Sequence, residues 1–165
     1  MTGLAGEILD DLVHRGLTLA VAESLTGGLL VAEFISVPGA SRVVRGGIVA
    51  YDTALKHTLL GVDADLLAEH GAVHPDVARQ MALGVRQRLS VNGAPASIGL
   101  STTGVAGPDT QDGRSVGTAF VGFAIGTATS VLSLDVTGSR EDIRRAVVSE
   151  SLVQLQKLLQ PTSLH

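Results

Sequence analysis

The alternation of apolar and polar positions divides the chain into short elements with few long gaps. Over residues 2–15, Leu4, Ile8 and Leu12 form one stripe with Ala5, Leu9 and Val13 beside it, a helical period, and Gly16 is a suitable stop. The run 17–22 is continuously apolar except for Thr18 and reads as a buried strand. The next helix is expected over 26–36, with Thr26 as its N-cap, and a strand with a Gly46-Gly47 bulge or kink over 43–51. Asp52 and Thr53 look like caps for a helix reaching about Leu60, and 63–70 is a further short helix stopped by Gly71. Pro75 suits the first position of a helix that buries Val77, Met81 and Val85, with Ala78, Ala82 and Leu89 flanking.

After a loop at 92–95, residues 96–102 read as a strand and 104–115 as a glycine-rich connection. The segments 116–125 and 128–136 read as an antiparallel pair turning near Gly126-Thr127. The last helix, 138–159, carries a capping box of Ser139 and Asp142 and a stripe of Ile143, Val147, Leu155 and Leu158, and the tail 161–165 is expected to fray. Early alternation of helices and strands followed by a late hairpin implies one α/β domain over 1–165: a three-layer α/β/α sandwich with a mixed β-sheet.

Composition narrows the function. With 165 residues, 45% hydrophobic and 17% charged, the chain is long and apolar enough for a proper core. A net charge of −4 and 2% aromatics argue against a nucleic-acid partner. No cysteine is present, which removes disulfides and thiolate catalysis and fits a reducing cytoplasm. The N-terminus has early acids and no basic signal region, and no apolar run approaches a membrane span.

The segment 20–30, AVAESLTGGLL, is the first candidate site. A buried strand ends, the chain turns polar at Glu23-Ser24, and a helix begins beyond Thr26-Gly27-Gly28. Glycines let backbone amides approach a ligand, and helix-start amides favour anions or a developing oxyanion. Ser24 sits at the mouth of that arrangement and is the candidate nucleophile. The plainer reading is that Ser, Thr and Gly are ordinary turn residues.

Tyr51 and Lys56 occupy a second strand-to-helix junction, YDTALKH. Partial burial and the positive helix end would lower the lysine's pKa, and a neutral lysine can deprotonate a serine. A solvated surface lysine is the alternative. A third candidate is the loop 101–113, STTGVAGPDTQDG, whose Gly104 and Gly107 could present amides to a phosphate or simply form a flexible hairpin connection. Arg140 stands in the first turn of the last helix, opposing its dipole, which is sensible if it meets an anion or a carboxylate partner. The histidines do not group at metal spacing, and Asp109 and Asp112 read as turn formers before metal ligands. No metal or cofactor is expected.

Taken in order, AESLTGG (22–28), GGIVAYDTALKHTLLGV (46–62), GAVHPDVARQMALGVR (71–86), TTGVAGPD (102–109), VGTAFVGFA (116–124) and GSREDIRRAVV (138–148) resemble the CinA C-terminal domain family, the nicotinamide-nucleotide amidohydrolases. The resemblance implies an α/β/α domain that hydrolyses the carboxamide of nicotinamide mononucleotide to nicotinic acid mononucleotide and ammonia. It implies Ser24 as nucleophile, Lys56 as its partner, and Tyr51, Thr103 and Arg140 in the substrate site. The oxyanion would then lie on amides near Thr26, Gly27 and Gly28 or in the Thr103 loop, with Arg140 and loop amides on the phosphate and Tyr51 beside the pyridine ring. A cytoplasmic homodimer is the expected assembly, in a form without the second, N-terminal domain that some relatives carry. Leu25 stands where relatives often have Cys, and His74, where they often have Ser, reads as a substituted helix cap. A nucleotide-binding or regulatory module without turnover, or a structural subunit, are the competing expectations.

Overall fold

The stripe at the start of the chain folds as α1, Leu4–Arg15, in a computed structural model that describes residues 3–160. Ala5, Ile8, Leu9 and Leu12 are buried, and Gly16 closes the helix at φ 65°, where an L side chain would be strained. Thr2, the expected start of this helix, and the tail 161–165 lie outside the described residues. The chain continues through β1 (Leu19–Glu23), α2 (Leu29–Ile35), a 3-10 turn at Ala40–Arg42, β2 (Val44–Val49), α3 (Thr53–Leu60), α4 (Ala64–His70) and α5 (Pro75–Arg88). It ends with β3 (Ile98–Gly104), β4 (Thr118–Ile125), β5 (Ala128–Asp135) and α6 (Arg140–Leu159).

The strands form one five-stranded sheet in the order β2-β1-β3-β4-β5. β2, β1 and β3 are parallel, and β4 and β5 add antiparallel. Side-chain alternation along β1 assigns the two faces. Leu19 and Val21 pack with residues of α1, α2 and α6, while Ala20 and Ala22 pack with Val77, Met81 and Val85 of α5. The result is a three-layer α/β/α sandwich with a mixed sheet.

The α5 face is built from small residues. A Cβ on Gly99 would lie 1.9 Å from the Ala82 carbonyl oxygen, and one on Gly122 would lie 2.2 Å from that of Ala78. The helix backbone therefore rests directly on the sheet. Gly99→Ala and Gly122→Ala should each cost about 1–3 kcal/mol by overpacking, read as a lowered denaturation midpoint with an unchanged slope. A midpoint equal to that of the unsubstituted protein would show that α5 lifts away freely.

Several boundaries differ from the expectation, each for a tertiary reason. β1 begins at Leu19 and includes Glu23, which pairs with Val49 and Thr102. β3 runs to Gly104 because Thr103 and Gly104 pair with Phe120 and Ala119. The irregularity in β2 is real: Leu19 and Ala20 face Val44 and Gly46, leaving Arg45 as the extra residue. α2 starts at Leu29 instead of Thr26, with Gly28 as its N-cap at φ 101°. In α6 Leu159 is buried and Leu158 is 37% exposed, since steps of four from Ile143 through Val147, Ser151 and Leu155 reach 159.

The topology places a crevice. β1 and β3 are parallel neighbours, and the chain leaves their carboxyl ends in opposite directions, from β1 to β2 on one side and from β3 to β4 on the other. Ligands bind at such switch points in open α/β sheets, and the residue after β1 is Ser24.

Candidate active site

A polar cleft of about 390 Å³ opens over those strand ends. Its lining combines Ser24 and Leu25 after β1, Tyr51 to Thr53 after β2, Gly104 to Gly107, Asp109 and Gln111 after β3, and Arg140 at the start of α6. That volume lies in the range of small-ligand sites, about 300–1,000 Å³.

Lys56 lies at the base of this site. It is 1% exposed, and its Nζ is 3.0 Å from Ser24 Oγ, 2.8 Å from the Ala50 carbonyl oxygen and 3.4 Å from that of Tyr51. α3 sets this geometry: Asp52 caps the helix by accepting from the Ala54 amide at 2.8 Å, and Lys56 follows one turn later. Burial pushes the lysine pKa down from 10.5 to about 8, against Asp52 and Asp112, which act to raise it. The solvated alternative for Lys56 does not describe this side chain. A neutral amine has two N–H bonds and one lone pair. Directing the N–H bonds to the Ala50 and Tyr51 carbonyls leaves the lone pair for the Ser24 hydroxyl proton, an arrangement suited to general-base activation.

The nucleophile turn is fixed from several sides. The Ser24 amide donates to the Thr102 carbonyl at 3.0 Å, and the Gly27 amide donates to the Ser24 carbonyl at 3.1 Å. Thr26 is fully buried with its hydroxyl 2.7 Å from that of Thr102, so it is a buried tether and not the expected N-cap. Its capping work is done by Glu23, a fully buried carboxylate that accepts from the Leu30 and Val31 amides at 2.9 and 3.0 Å. Those α2-start amides are occupied by Glu23 and are not open to a ligand anion. Arg144 donates from Nε to the Leu25 carbonyl at 2.8 Å and from Nη2 to the Thr26 carbonyl at 3.1 Å.

The cleft receives only some of the residues expected there. Gly104, Gly107, Tyr51 and Arg140 line it; Thr26, Gly27 and Gly28 do not. Thr103 is also outside the lining, and its hydroxyl donates to the Ala72 carbonyl at 2.7 Å. It shares the α5-facing side of β3 with Ser101, whose hydroxyl donates to the Ala78 carbonyl at 2.6 Å. Arg140 donates to the Gly107 carbonyl and, at 3.1 Å, to the Tyr51 hydroxyl. No carboxylate pairs with it among the described residues. His74 caps α5, its Nδ1 accepting from the Asp76 amide at 3.1 Å. Burial and the neighbouring His70 lower its pKa. Asp112 accepts from the Ala72 amide at 3.1 Å, so it tethers the glycine-rich loop to the turn before α5. Among the described residues no group of three or more His, Cys, Asp or Glu could hold a metal ion. No helix among them is long and apolar enough to cross a membrane.

Glu23, Thr102 and Arg144 were not singled out from sequence. For Thr102 the signal was available: Gly99 and Ser101 are small residues that admit a helix, which assigns 103 to the helix side and 102 to the other.

Known proteins of similar sequence and shape agree on one family. A model described as the CinA C-terminal domain matches residues 1–159. A CinA-like protein of Frankia casuarinae is 47% identical over 156 residues, and the match covers 94% of this chain. One from Gemmatimonas aurantiaca is 43% identical over 157 residues, 93% of this chain. The chain spans only 35% of the length of each of these relatives. The crystal structure of a CinA superfamily protein from Enterobacter cloacae superposes with a TM-score of 0.89 at 28% identity, covering 95% of this chain and 90% of that one. The competence/damage inducible protein CihA from Agrobacterium tumefaciens gives 0.88 at 32% identity, covering 95% and 94%. With a family model matched over nearly its whole length and the same fold in solved members, the chain belongs to the CinA C-terminal domain family.

Proposed function

We propose that this protein is an amidohydrolase that converts nicotinamide mononucleotide to nicotinic acid mononucleotide and ammonia. The observation that carries the reading is the buried Lys56 amine 3.0 Å from Ser24 Oγ at the base of a polar cleft. A structural lysine has no need to lose its hydration there, and a binding module has no need of a base beside a hydroxyl.

Ser24 Oγ attacks the carboxamide carbon as Lys56 Nζ takes its proton. The carbonyl π electrons move to oxygen, giving a tetrahedral oxyanion. Lys56 returns the proton to the amide nitrogen, the C–N bond breaks, and ammonia leaves an acyl ester on Ser24. Water then attacks the ester while Lys56 takes one of its protons, and collapse returns that proton to Ser24 Oγ and frees the carboxylic acid, which gives up its remaining proton to solvent. Among the described residues the Leu25 amide has no acceptor in hydrogen-bond geometry, and Leu25 lines the cleft. In this reading it supplies the oxyanion donor that the α2-start amides, held by Glu23, cannot.

Arg140 faces the cleft with a carbonyl and a phenol as partners, which leaves its charge for a phosphate. The enzyme takes no cofactor in this scheme, and we place it in the cytoplasm as a homodimer, an assembly that mass measurement in solution would read. Steady ammonia release from nicotinamide mononucleotide tests the function; saturable binding with no release would instead make the protein a nucleotide-binding module. Arg140→Ala should raise KM for the nucleotide about 10–100-fold, the scale of a lost charge-assisted hydrogen bond. It should change KM for the phosphate-free nucleoside far less. Equal losses for both substrates would show that Arg140 does not read the phosphate.

A further inference from the structure

We infer that Arg144 is a positioning residue that aims the oxyanion-stabilising Leu25 amide of the nucleophile turn, an inference that rests on the amide hydrolysis proposed above. In a planar trans peptide the C=O and the following N–H point in opposite directions. The Ser24 carbonyl is held inward by the Gly27 amide at 3.1 Å. The next two carbonyls, of Leu25 and Thr26, are held by one guanidinium through its Nε at 2.8 Å and its Nη2 at 3.1 Å. Thr26 also accepts from the Leu29 amide at 3.0 Å. The amide opposite the Thr26 carbonyl is that of Gly27, the donor that holds the Ser24 carbonyl, and the amide opposite the Ser24 carbonyl is that of Leu25; the guanidinium thus acts through the Gly27 peptide on the Leu25 amide, which is left without an acceptor among the described residues.

Two neighbours show that the turn is fitted to this guanidinium. A Cβ on Gly27 would come within 3.2 Å of Arg144 Nη2, so the glycine makes room for it. Arg145, the next residue, instead pairs with Glu141 at 2.8 Å on the exposed side of α6. Arg144 has no carboxylate partner among the described residues, and its donors go to the turn. A guanidinium can bridge successive carbonyls because its donors lie in a fixed plane, whereas a lysine ammonium is a single point. Arg140 and Arg144 stand one helical turn apart on α6. The same helix end therefore serves the substrate cleft with one arginine and the nucleophile's backbone with the other.

The test compares Arg144→Lys, Arg144→Ala with and without added methylguanidine, and the control Arg145→Ala. The readouts are kcat and KM for nicotinamide mononucleotide, thermal midpoint, and affinity for pyridine-3-boronic acid, which forms a tetrahedral anionic adduct on a serine oxygen. Removing one oxyanion donor costs about 10²–10³ in kcat, so a misaimed turn should cost about 10–100-fold. We expect that loss in Arg144→Lys with KM within about twofold of its original value, and a boronate affinity weakened by a similar factor. Methylguanidine should restore part of the kcat of Arg144→Ala, and Arg145→Ala should behave as the unsubstituted protein. An unchanged kcat in Arg144→Lys, a change confined to KM, or a boronate affinity that does not follow kcat would each overturn the inference. If the unsubstituted protein binds the boronate yet releases no ammonia, the amidase reading fails alone, and the boronate affinities still judge Arg144.

Discussion

Ser24→Ala should retain the fold and lose ammonia release by at least about 10³-fold, because a nucleophile and its base act as a unit. Folding should survive because, among the described residues, the hydroxyl's one hydrogen-bond partner is Lys56 Nζ, which keeps the Ala50 and Tyr51 carbonyls as partners. The backbone contacts that shape the turn, including Ser24 amide to Thr102 carbonyl, do not involve the side chain. Substrate affinity should stay near its original value, since the phosphate and ring contacts of the reading come from other residues. The double variant Ser24→Ala/Lys56→Met should then be scarcely slower than Ser24→Ala alone, the non-additivity expected of a working pair. Measured rates within tenfold of the unsubstituted enzyme, or additive losses in the double variant, would remove Ser24 from the nucleophile's place.

The order of elements and the layers of the sandwich were legible because hydrophobic period and cap chemistry act locally. Asp52, Asp63 and Ser139 cap the helices they precede, and even His74, an unusual residue for the role, caps α5. The Ser24–Lys56 pair was legible as two strand-to-helix junctions, but the burial that brings them together depends on β1 and β2 being neighbours. Thr26 misled because a Ser/Thr before a helix is normally its cap, and nothing local shows that Glu23, at the end of a strand, turns its carboxylate onto the Leu30 and Val31 amides instead. The residue that reads as one polar position too many at the end of an apolar strand thus fills the helix end expected to hold a ligand. Thr102 and Thr103 differ by one step in a strand, and only the face on which α5 lies decides which hydroxyl approaches the nucleophile turn. Arg144 needed the whole fold, since its partners are 118 and 119 positions away.

Lys56→Arg should be nearly inactive, with kcat lower by about 10²–10⁴, the usual worth of general-base catalysis. Arginine keeps the charge and cannot accept a proton near neutral pH. In the unsubstituted enzyme the rate should climb with pH through about 8, because burial has lowered the Lys56 pKa to that value and only the neutral amine can take the Ser24 proton. The carboxylate of Asp52 acts against this lowering. Asp52→Asn keeps an acceptor for the Ala54 amide, since Asn is as good an N-cap as Asp. It should therefore move the rise to lower pH without unwinding α3. Stability gives an independent reading of the same group. A folded-state pKa of about 8 lies below the unfolded value of 10.5, so between those limits the unfolded chain binds more protons and stability rises with pH. Below about pH 8 the cost of burying the charge is fully present. Lys56→Met, which removes that charge, should gain about 1–3 kcal/mol at pH 7 after the lost hydrogen bonds are counted. The gain should shrink as the pH approaches 10, where the unsubstituted protein has recovered its own stability. A flat rate profile from pH 6 to about 9 together with no pH dependence of the Lys56→Met gain would make Lys56 a fixed cation holding Ser24 in place.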